Sequence, residues 1–369
     1  MVGTQLIVMK RTKPRLPSHF NTVVLQSFRE LAVIGGKWDE LLDGSSADTI
    51  FLRAGWLYSW ELTYGKNSEL IIVLVSISDR LVAAGAFENV SGELIFAGKG
   101  PSDYSDILVS SSLDTSELPG VIESILQIAA ESVARFRHFR LNRIQTESET
   151  LKYLLSGRSK TRAIIVDQTE APRMDMRVVA HKLKKKSLIR HERKLARKGM
   201  LVDNCYNSSS DISSVLDQLF CQHIERWRNT PYPSLFLDDV SKEFYRQIVQ
   251  NLGGTGFLRF TTLHLDERLI AAHFGFVHAG RYTWYKPSFD VSLAKFSPGE
   301  VLLKRLLEAA RVEPVNIFDF TIGNESFKLR FATDVPLVTS LYVTDSLIKA
   351  TVVRIRQGVK RTRDSLFGK

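Results

Sequence analysis

Cysteine is nearly missing from this chain of 369 residues, with Cys205 and Cys221 as the only two. Two cysteines without metal-ligand spacing predict neither a disulfide framework nor a metal site. No run approaches the ~20 uncharged apolar residues that a transmembrane helix needs. Residues 1–20 carry basic side chains but no apolar core after them, which is not the pattern of a secretory signal. We therefore expect a cytoplasmic protein.

The positive charge of the chain is local. The net charge is +10, but residues 182–198 carry +8 and residues 354–369 carry +5, which leaves the remainder slightly acidic. Charge of this kind describes two segments rather than the whole protein. The length and an apolar share of 44% are typical of two soluble domains. We predict these domains at 1–160 and 161–369, with a basic helix at 178–199 and a basic tail in the second.

Two short segments about half the chain apart resemble each other. Residues 79–87 read DRLVAAGAF, and residues 267–276 read ERLIAAHFGF. Each follows another apolar strand, as in a β-hairpin with a polar turn. Around both copies the apolar spacing predicts helices, an antiparallel meander, a helix and a further strand. The predicted fold class is therefore α+β, with the same half occurring twice and a linker within 156–173.

The predicted elements have these bounds. In the first half, helices are expected at 38–42, 55–64 and 116–135, and strands at 70–77, 81–88, 93–97 and 138–142. In the second half, helices are expected at 211–228, 241–251, 298–311 and 325–331, and strands at 257–265, 269–277, 281–286, 316–320 and 337–343.

A strand followed closely by a helix start is the most informative feature of the second half. Pro287 cannot donate to a ladder, so we expect the strand to break or bulge there. Ser297 is a good N-cap and Pro298 a good first helical residue. The N–H groups of the next three residues would then lack internal partners and face a phosphate, with Lys295 as a counter-charge. The predicted phosphate-binding residues are Lys286, Lys295, Ser297, Pro298, Gly299, Glu300 and Val301. The alternative is that Ser-Pro-Gly only starts a packed helix.

The order of short motifs resembles the BioF2-like/CelD family of GNAT acetyltransferases. The motifs are Trp227-Arg228, Leu269-Ile-Ala-Ala-His273, Tyr285-x-Pro-Ser-Phe-Asp290, Phe296-Ser-Pro-Gly299 and Phe318-Asp319-Phe320-x-x-Gly323-x-Glu325-x-x-Lys328, with Phe51-x-x-x-x-Trp56 and Gly98-x-Gly-x-Ser-Asp-Tyr104 in the first half. The resemblance implies tandem GNAT-like domains, each a mixed, mostly antiparallel sheet flanked by helices. It also implies acetyl-CoA or another acyl-CoA as co-substrate and an acceptor from exopolysaccharide metabolism. One departure is Phe327, where the family usually has Tyr.

The first half has no helix start next to its third strand, so a single donor site is expected, in the second half. The loop 98–106 of the first half supplies Asp103 and Tyr104 as candidates for acceptor binding, with the first repeat shaping the acceptor cleft. Trp227, Arg228 and Lys328 are further substrate-binding candidates.

Four residues are candidates for catalysis, each with a structural alternative. A neutral His273 has a pKa suited to a general base, but a histidine in an apolar strand is often a hydrogen-bonded core residue. Asp319 and Glu325 are candidate bases that could instead bond local backbone and cap a helix. Tyr285 is a candidate thiolate-protonating acid or a strand aromatic.

The predicted chemistry is direct transfer, in which a backbone N–H near Tyr285 and Lys286 polarises the thioester carbonyl. No Gly-x-Ser-x-Gly signature suggests an acyl-enzyme. The basic run 182–198 is a candidate contact for an acidic partner or a membrane surface; nucleic acid is not favoured, because aromatic side chains for base stacking are absent.

Three functions stay open. The first is an N- or O-acyltransferase acting on a sugar or another small acceptor. The second is an aminoacyltransferase similar to FemABX proteins, using aminoacyl-tRNA. The third is a non-catalytic scaffold that retains the fold.

Overall fold

A computed structural model describes residues 16–34, 36–47 and 49–367, with only the backbone from Gly358 onward. Its strands are β1 Phe20–Leu25, β2 Glu69–Ile77, β3 Arg80–Val90, β4 Glu93–Phe96, β5 Leu108–Val109, β6 His138–Gln145, β7 Arg162–Glu170, β8 Arg173–Asp175, β9 Leu201–Tyr206, β10 Leu258–Leu265, β11 Arg268–His278, β12 Arg281–Phe289, β13 Ile317–Asp319 and β14 Leu337–Thr344. Its α-helices are α1 Lys37–Asp43, α2 Ala54–Leu62, α3 Leu118–Glu131, α4 Glu149–Leu155, α5 Val179–Leu183, α6 Lys186–Ala196, α7 Ser209–Trp227, α8 Asp239–Leu252, α9 Pro298–Ala310, α10 Ser326–Phe331 and α11 Leu347–Phe367.

The chain forms two compact units, each built on one mixed sheet flanked by helices. The first sheet has the order β1-β2-β3-β4-β6-β14-β7, with β5 also paired to β3. The second has the order β8-β13-β12-β11-β10-β9. Within both sheets most neighbouring strands are antiparallel, and the pairs β4–β6 and β12–β13 are parallel. The predicted α+β fold, with one mixed and mostly antiparallel sheet in each half, is confirmed.

The division of the chain differs from the predicted boundaries. The second unit comprises Tyr58–Lys66 and Thr169–Leu337, and the chain from Val338 onward returns to the first unit. Strand β14 therefore lies between β6 and β7, although it follows the whole second half in sequence. Half of the predicted linker 156–173 is strand β7.

The internal repeat is a structural one. Strands β3 and β11 begin at the corresponding arginines, Arg80 and Arg268. Ala83 and Ala84 pair with β5, while Ala271 and Ala272 pair with the end of β12. Strands β4 and β5 together thus take the place that the single strand β12 has in the second unit, and the loop 97–107 interrupts them.

The core of the second unit explains why α9 lies where it does. Val301, Leu302 and Leu307 on α9 are completely buried, together with Ile270 and Ala271 of β11. The buried positions Leu303, Leu306, Leu307 and Ala310 follow one another by three, one and three residues, which places their side chains on one helical face. Burying them against the sheet fixes the axis of α9 and hence the position of its first turn.

The basic helix and the start of helix α8 differ from the prediction. The basic helix at 178–199 is two helices, α5 and α6, separated at Lys184 and Lys185. Helix α8 begins earlier than predicted, because the side chain of Asp238, rather than Ser241, caps its first amides.

Among the residues that the structure describes, no helix is long and apolar enough to cross a membrane.

Candidate active site

The second unit contains a cleft where two parallel strands separate. β12 and β13 pair from Arg281 with Ile317 to Thr283 with Asp319, and no further. Directly after this point β12 bulges, since Phe276 pairs with Thr283 but Phe274 pairs with Lys286. Trp284 and Tyr285 together therefore stand opposite Gly275, as in a β-bulge. The pairing of β12 with β13 thus ends where β12 bulges, and the gap between the two strands is here called the cleft.

A break or a bulge was predicted at Pro287; the strand does not break there, and the bulge lies slightly earlier, at Trp284 and Tyr285. β12 continues to Phe289, and Pro287 pairs with His273. The missing N–H of Pro287 is tolerated because the register has already shifted at the preceding bulge.

His273 maintains the bulge. Its ring is fully buried, and its Nε2 accepts the backbone N–H of Tyr285 at 3.2 Å. The ring stacks on Trp284 with 4.5 Å between centroids. It lies over Gly275, where an added Cβ would also come within 2.6 Å of the Thr283 carbonyl oxygen. Only glycine leaves room for this ring.

This geometry does not support His273 as the general base. Burial lowers the pKa of His273 to about 3, so the ring is neutral at working pH. The nitrogen that could take a proton already accepts the Tyr285 N–H. For the same reason that N–H is not available to polarise a thioester carbonyl. Tyr285 itself is buried beside the Tyr245 ring.

Helix α9 begins a short distance after β12, but its first turn differs from the predicted cap. Ser297 has a left-handed backbone with φ of 57°, and its side chain makes no capping hydrogen bond. Its carbonyl oxygen accepts the N–H groups of Glu300 at 3.0 Å and Val301 at 3.2 Å. Among the described residues, the Gly299 N–H has no acceptor. One free donor, rather than the predicted three, remains at this helix start.

Cations surround the start of α9. The ammonium groups of Lys198 and Lys295 lie 5.1 and 5.3 Å from the centre of the Phe296 ring. Lys185 donates to the Arg330 carbonyl oxygen, and the Arg330 guanidinium pairs with Glu300. The only carboxylate of the first turn is thus neutralised. Together with the positive end of the helix dipole, this arrangement fits a phosphate group.

Asp319 is a structural residue. It is 1% exposed, and its carboxylate pairs with Arg281 at 3.0 Å and accepts the Thr321 N–H at 2.8 Å. A buried carboxylate already bonded in this way fixes the end of β13 and the left-handed turn at Thr321. Its expected role as a base is not supported.

Glu325 differs from Asp319 because water reaches it. Its side chain is 56% exposed and lies 3.0 Å from the ammonium of Lys328. Lys328 is buried and donates to the Ile322 carbonyl oxygen at 2.7 Å. Glu325 does not cap α10 with its side chain. It is the accessible carboxylate among the predicted bases.

Helix α7 adds two residues that the sequence analysis missed. The Arg226 guanidinium donates to the Pro287 carbonyl oxygen at 2.9 Å and lies 4.4 Å from the centre of the Phe289 ring. Burial lowers its pKa to about 10, while Glu325 opposes that shift. His223 accepts or donates a bond with Ser234 at 2.8 Å, and burial beside Lys286 and Arg226 lowers its pKa to about 3. His223, Arg226, Lys286 and Glu325 therefore form one group, here called the cleft cluster.

The missed residues had a sequence signal. The buried positions of α7 include Ile212, Leu216, Leu219 and His223, a spacing of three or four. Three positions after His223, the same spacing reaches Arg226. The predicted Arg228 instead lies on the outer face of the helix. Arg228 is 63% exposed and pairs with Glu225. Trp227 is half-buried, 5.4 Å from the Arg226 guanidinium.

The structure places Asp103 and Tyr104 in the first unit. The Asp103 carboxylate lies 3.5 Å from Arg143, and Tyr104 is buried against the Phe51 ring. Neither side chain is open to solvent. Their role in acceptor binding stays a prediction.

Within the described part of the chain, no group of three or more His, Cys, Asp or Glu side chains could hold a metal ion.

Comparisons with known proteins agree with this fold. Residues 182–329 match the family model described as the acetyltransferase (GNAT) domain. A search of curated protein sequences gave no match. Among solved structures, the C-terminal domain of a putative lysylphosphatidylglycerol synthetase from Agrobacterium fabrum has a TM-score of 0.57 at 15% identity, covering 89% of this chain and 96% of that one. The L-PGS from Bacillus licheniformis has a TM-score of 0.55 at 12% identity over 87% and 94% of the two chains. FemX has a TM-score of 0.58 at 9% identity over 87% and 96%.

Identities this low show a shared fold and nothing finer. The bulged β12, its parallel partner β13 and the helix α9 all lie within the residues that match the GNAT domain. The class that fold and site define is a GNAT-fold acyltransferase. Within the chain, the acetyltransferase (GNAT) domain match falls on the second unit.

Proposed function

We propose that the second unit takes an acyl group from an acyl-CoA, with acetyl-CoA as the simplest donor. We further propose that it transfers this group to an amine or hydroxyl of a sugar or polysaccharide precursor. One observation supports acyl-CoA as the donor. Strand β12 separates from β13 just before helix α9, and the first free N–H of that helix is that of Gly299. The acceptor class is supported by the resemblance to the BioF2-like/CelD family alone.

The cleft cluster fits direct transfer. The acceptor amine or hydroxyl attacks the thioester carbonyl, the C–S bond breaks, and CoA leaves as its thiolate. Lys286 and Arg226 provide positive charge where negative charge develops on that carbonyl oxygen. Glu325 is the accessible carboxylate that would take the proton from the acceptor, and Lys328 orients it. His273 acts through the bulge as a positioning residue, because it holds the Tyr285 N–H in place.

Gly299→Asp tests the donor site. An acidic residue is compatible with a helix start but repels phosphate, so we expect the affinity for acetyl-CoA to fall by roughly tenfold or more. The matched control is Gly120→Asp in the first turn of α3, where an added Cβ meets only Leu16 at 3.9 Å. Isothermal titration calorimetry measures both variants.

The control should bind acetyl-CoA as the natural chain does, with one site per chain. The first-unit helix start is already acidic, with Asp114 and Glu117 beside it, which argues against a second phosphate site there. Unchanged binding by Gly299→Asp would place the phosphates elsewhere, and two equivalent sites would overturn the single donor site. Tight binding without turnover of any amine or sugar acceptor would favour the scaffold function.

A second function, aminoacyl transfer from aminoacyl-tRNA, is favoured by one face of α6. Among the described residues, five exposed cations of this face have no acidic partner, and their spacing places them on one side of the helix: Lys186, Arg190, Arg193, Lys194 and Arg197. Such a stripe suits a phosphate backbone, which binds through its charge rather than its bases. FemX shares the fold, and the FemABX-like function was one of the three left open by the sequence.

Arg190→Glu with Lys194→Glu separates the two functions. If tRNA is the donor, this double reversal weakens tRNA binding and reduces the slope of log K against log salt by about 2. Lys66→Glu with Arg311→Glu, exposed positions of the same unit outside α6, is the control. Thermal stabilisation by acetyl-CoA and not by tRNA would reject the second function.

A further inference from the structure

The first unit has its own counterpart of the cleft. Strand β4 pairs in parallel with β6 from Glu93 with His138 to Ile95 with Arg140, and the strands then separate. Where β12 bulges by one residue in the second unit, the first unit inserts the whole loop 97–107. A cavity of about 870 Å³ opens at this place. All of its lining residues belong to the first unit.

Positive charge dominates this cavity, here called the first-unit pocket. Its charged lining residues are Lys99, Arg137, Arg140, Arg143, Lys349 and Arg356, against only Glu93 and Asp167. Six cations and two carboxylates leave a net charge of +4. His138 does not add to it, because burial lowers its pKa. An excess of this size in a concave site attracts anions.

Three of these cationic side chains already pair with or donate to groups of the protein itself. Arg140 pairs with Glu93 at 2.7 Å. Arg143 donates to the Ser102 carbonyl oxygen at 2.5 Å, and Lys349 donates to the Arg137 carbonyl oxygen at 2.9 Å. These hydrogen bonds stabilise one wall of the first-unit pocket, because they connect β6 and the residue before it to the loop 97–107 and to α11.

Two guanidinium groups remain. Among the residues that the structure describes, the side chains of Arg137 and Arg356 have no acceptor. They approach the pocket from different elements, one before β6 and the other on α11. Guanidinium groups bind phosphate oxygens in pairs of parallel hydrogen bonds. Asn142 and the Tyr342 hydroxyl supply neutral donors in the same wall.

The pocket also has an apolar rim. Ile348 is 77% exposed and Val352 is 41% exposed, and both line the pocket from α11. Exposed aliphatic side chains beside a basic site suit a ligand that carries an apolar group next to its charge.

We propose that the first-unit pocket binds the phosphate of an organic phosphate ester through Arg137 and Arg356. Two sources share this chemistry: a lipid phosphate, whose chains would lie on Ile348 and Val352, and a soluble phosphate ester. The inference does not depend on the donor site of the second unit, since every residue that carries it lies in the first unit.

Calorimetry with two phosphate monoesters tests this pocket. Dihexanoyl phosphatidic acid below its micelle concentration and glycerol 3-phosphate carry the same charged group, and dihexanoylglycerol carries only the chains. The double variant Arg137→Glu/Arg356→Glu should bind the phosphate esters at least roughly tenfold more weakly than the natural chain, because two charged hydrogen-bond donors are lost. Arg135→Glu is the matched control, an exposed arginine two positions from Arg137 that does not line the pocket.

The possible results of this calorimetry experiment lead to different conclusions. Tighter binding of the lipid than of glycerol 3-phosphate, lost in the double variant and retained in Arg135→Glu, supports the proposal with a lipid as source. Equal binding of both phosphate esters supports it with a soluble source. The proposal is overturned if neither ester binds, if dihexanoylglycerol binds as well as the lipid phosphate, or if the double variant binds like the natural chain. Arg137→Gln with Arg356→Gln repeats the test without charge reversal should the first variant unfold.

Discussion

Two histidines of the second unit are kept neutral by burial. The pKa of His273 and that of His223 both fall to about 3; His273 accepts the Tyr285 N–H, and His223 shares a hydrogen bond with Ser234. In the unfolded chain a histidine has a pKa near 6.5. Between these values the unfolded state binds more protons than the folded state, so acid favours unfolding. Above pH ~6.5 both states are neutral and the effect is absent.

Acidification should therefore destabilise the natural chain more than His223→Gln or His273→Gln. Each histidine contributes roughly 1.4 kcal/mol per pH unit below 6.5, or about 2 kcal/mol at pH 5. Urea unfolding at pH 7.5 and 5, compared between variant and natural chain at each pH, measures this difference. Exposed His181→Gln serves as the control.

The comparison at each pH is needed because Asp106 of the first unit acts in the opposite direction. Burial raises its pKa to about 6, so its protonation stabilises the folded first unit as the pH falls. A histidine variant with the same pH dependence as the natural chain would contradict the burial of that ring.

Residue types alone could not separate the two carboxylates among the predicted bases. Asp319 and Glu325 stand six positions apart and have the same charge, yet one is buried in an ion pair and the other is half-exposed. What distinguishes them is Arg281, which lies far from Asp319 in sequence and reaches it through the parallel pairing of β12 with β13. Helix spacing, by contrast, would have been enough to place Arg226 on the buried face of α7, although Arg228 was predicted instead.

Most elements of the meander were predicted to within a few residues, because apolar alternation and turn residues mark strand ends locally. The errors have local causes as well. The basic run was expected as one helix, and the backbone turns at Lys184 and Lys185 instead. This break lets Lys182 and Lys185 donate to carbonyl oxygens at the end of α10.

Helix α6 is anchored through its inner face. Glu192, the only acid of the basic run, lies 2.9 Å from Lys304 and 2.7 Å from Arg305 on α9. Lys304 is 9% exposed, so removing its partner leaves a poorly solvated charge with Glu308 alone. Glu192 is thus the carboxylate through which α6 pairs with two cations of α9.

Glu192→Ala should lower the free energy of unfolding by about 1–3 kcal/mol. Glu225→Ala removes a carboxylate whose pair with Arg228 is exposed on both sides, and should cost less than about 0.5 kcal/mol. Urea denaturation at low and high salt compares them. Equal effects of the two substitutions would mean that α6 is held by its leucines, Leu188 and Leu195, and not by the ion pairs.

At the scale of the whole molecule, the sequence predicted two similar halves but not which sheet each strand joins. Strand periodicity reports which face of a strand is buried, and it carries no information on the neighbouring strand. The last strand, β14, therefore looked like the end of the second domain, whereas it lies inside the first sheet. Its side chains fit there, since Leu341 and Val343 are completely buried in the first-unit core.

Ending the chain at Pro336 should therefore unfold the first unit and spare the second. Val338, Leu341 and Val343 each bury a side chain worth roughly 1.5–3 kcal/mol, and their sum is comparable to the ~5–15 kcal/mol that stabilises a whole domain. The loss also leaves β6 and β7 without their shared neighbour. Hydrogen exchange should show lost protection in β3 and β6 and retained protection in β10 and β11. A chain ending at Gln357 keeps β14 and should keep both. Retained protection of β6 in the shorter chain would mean that the first half folds without the strand that returns to it.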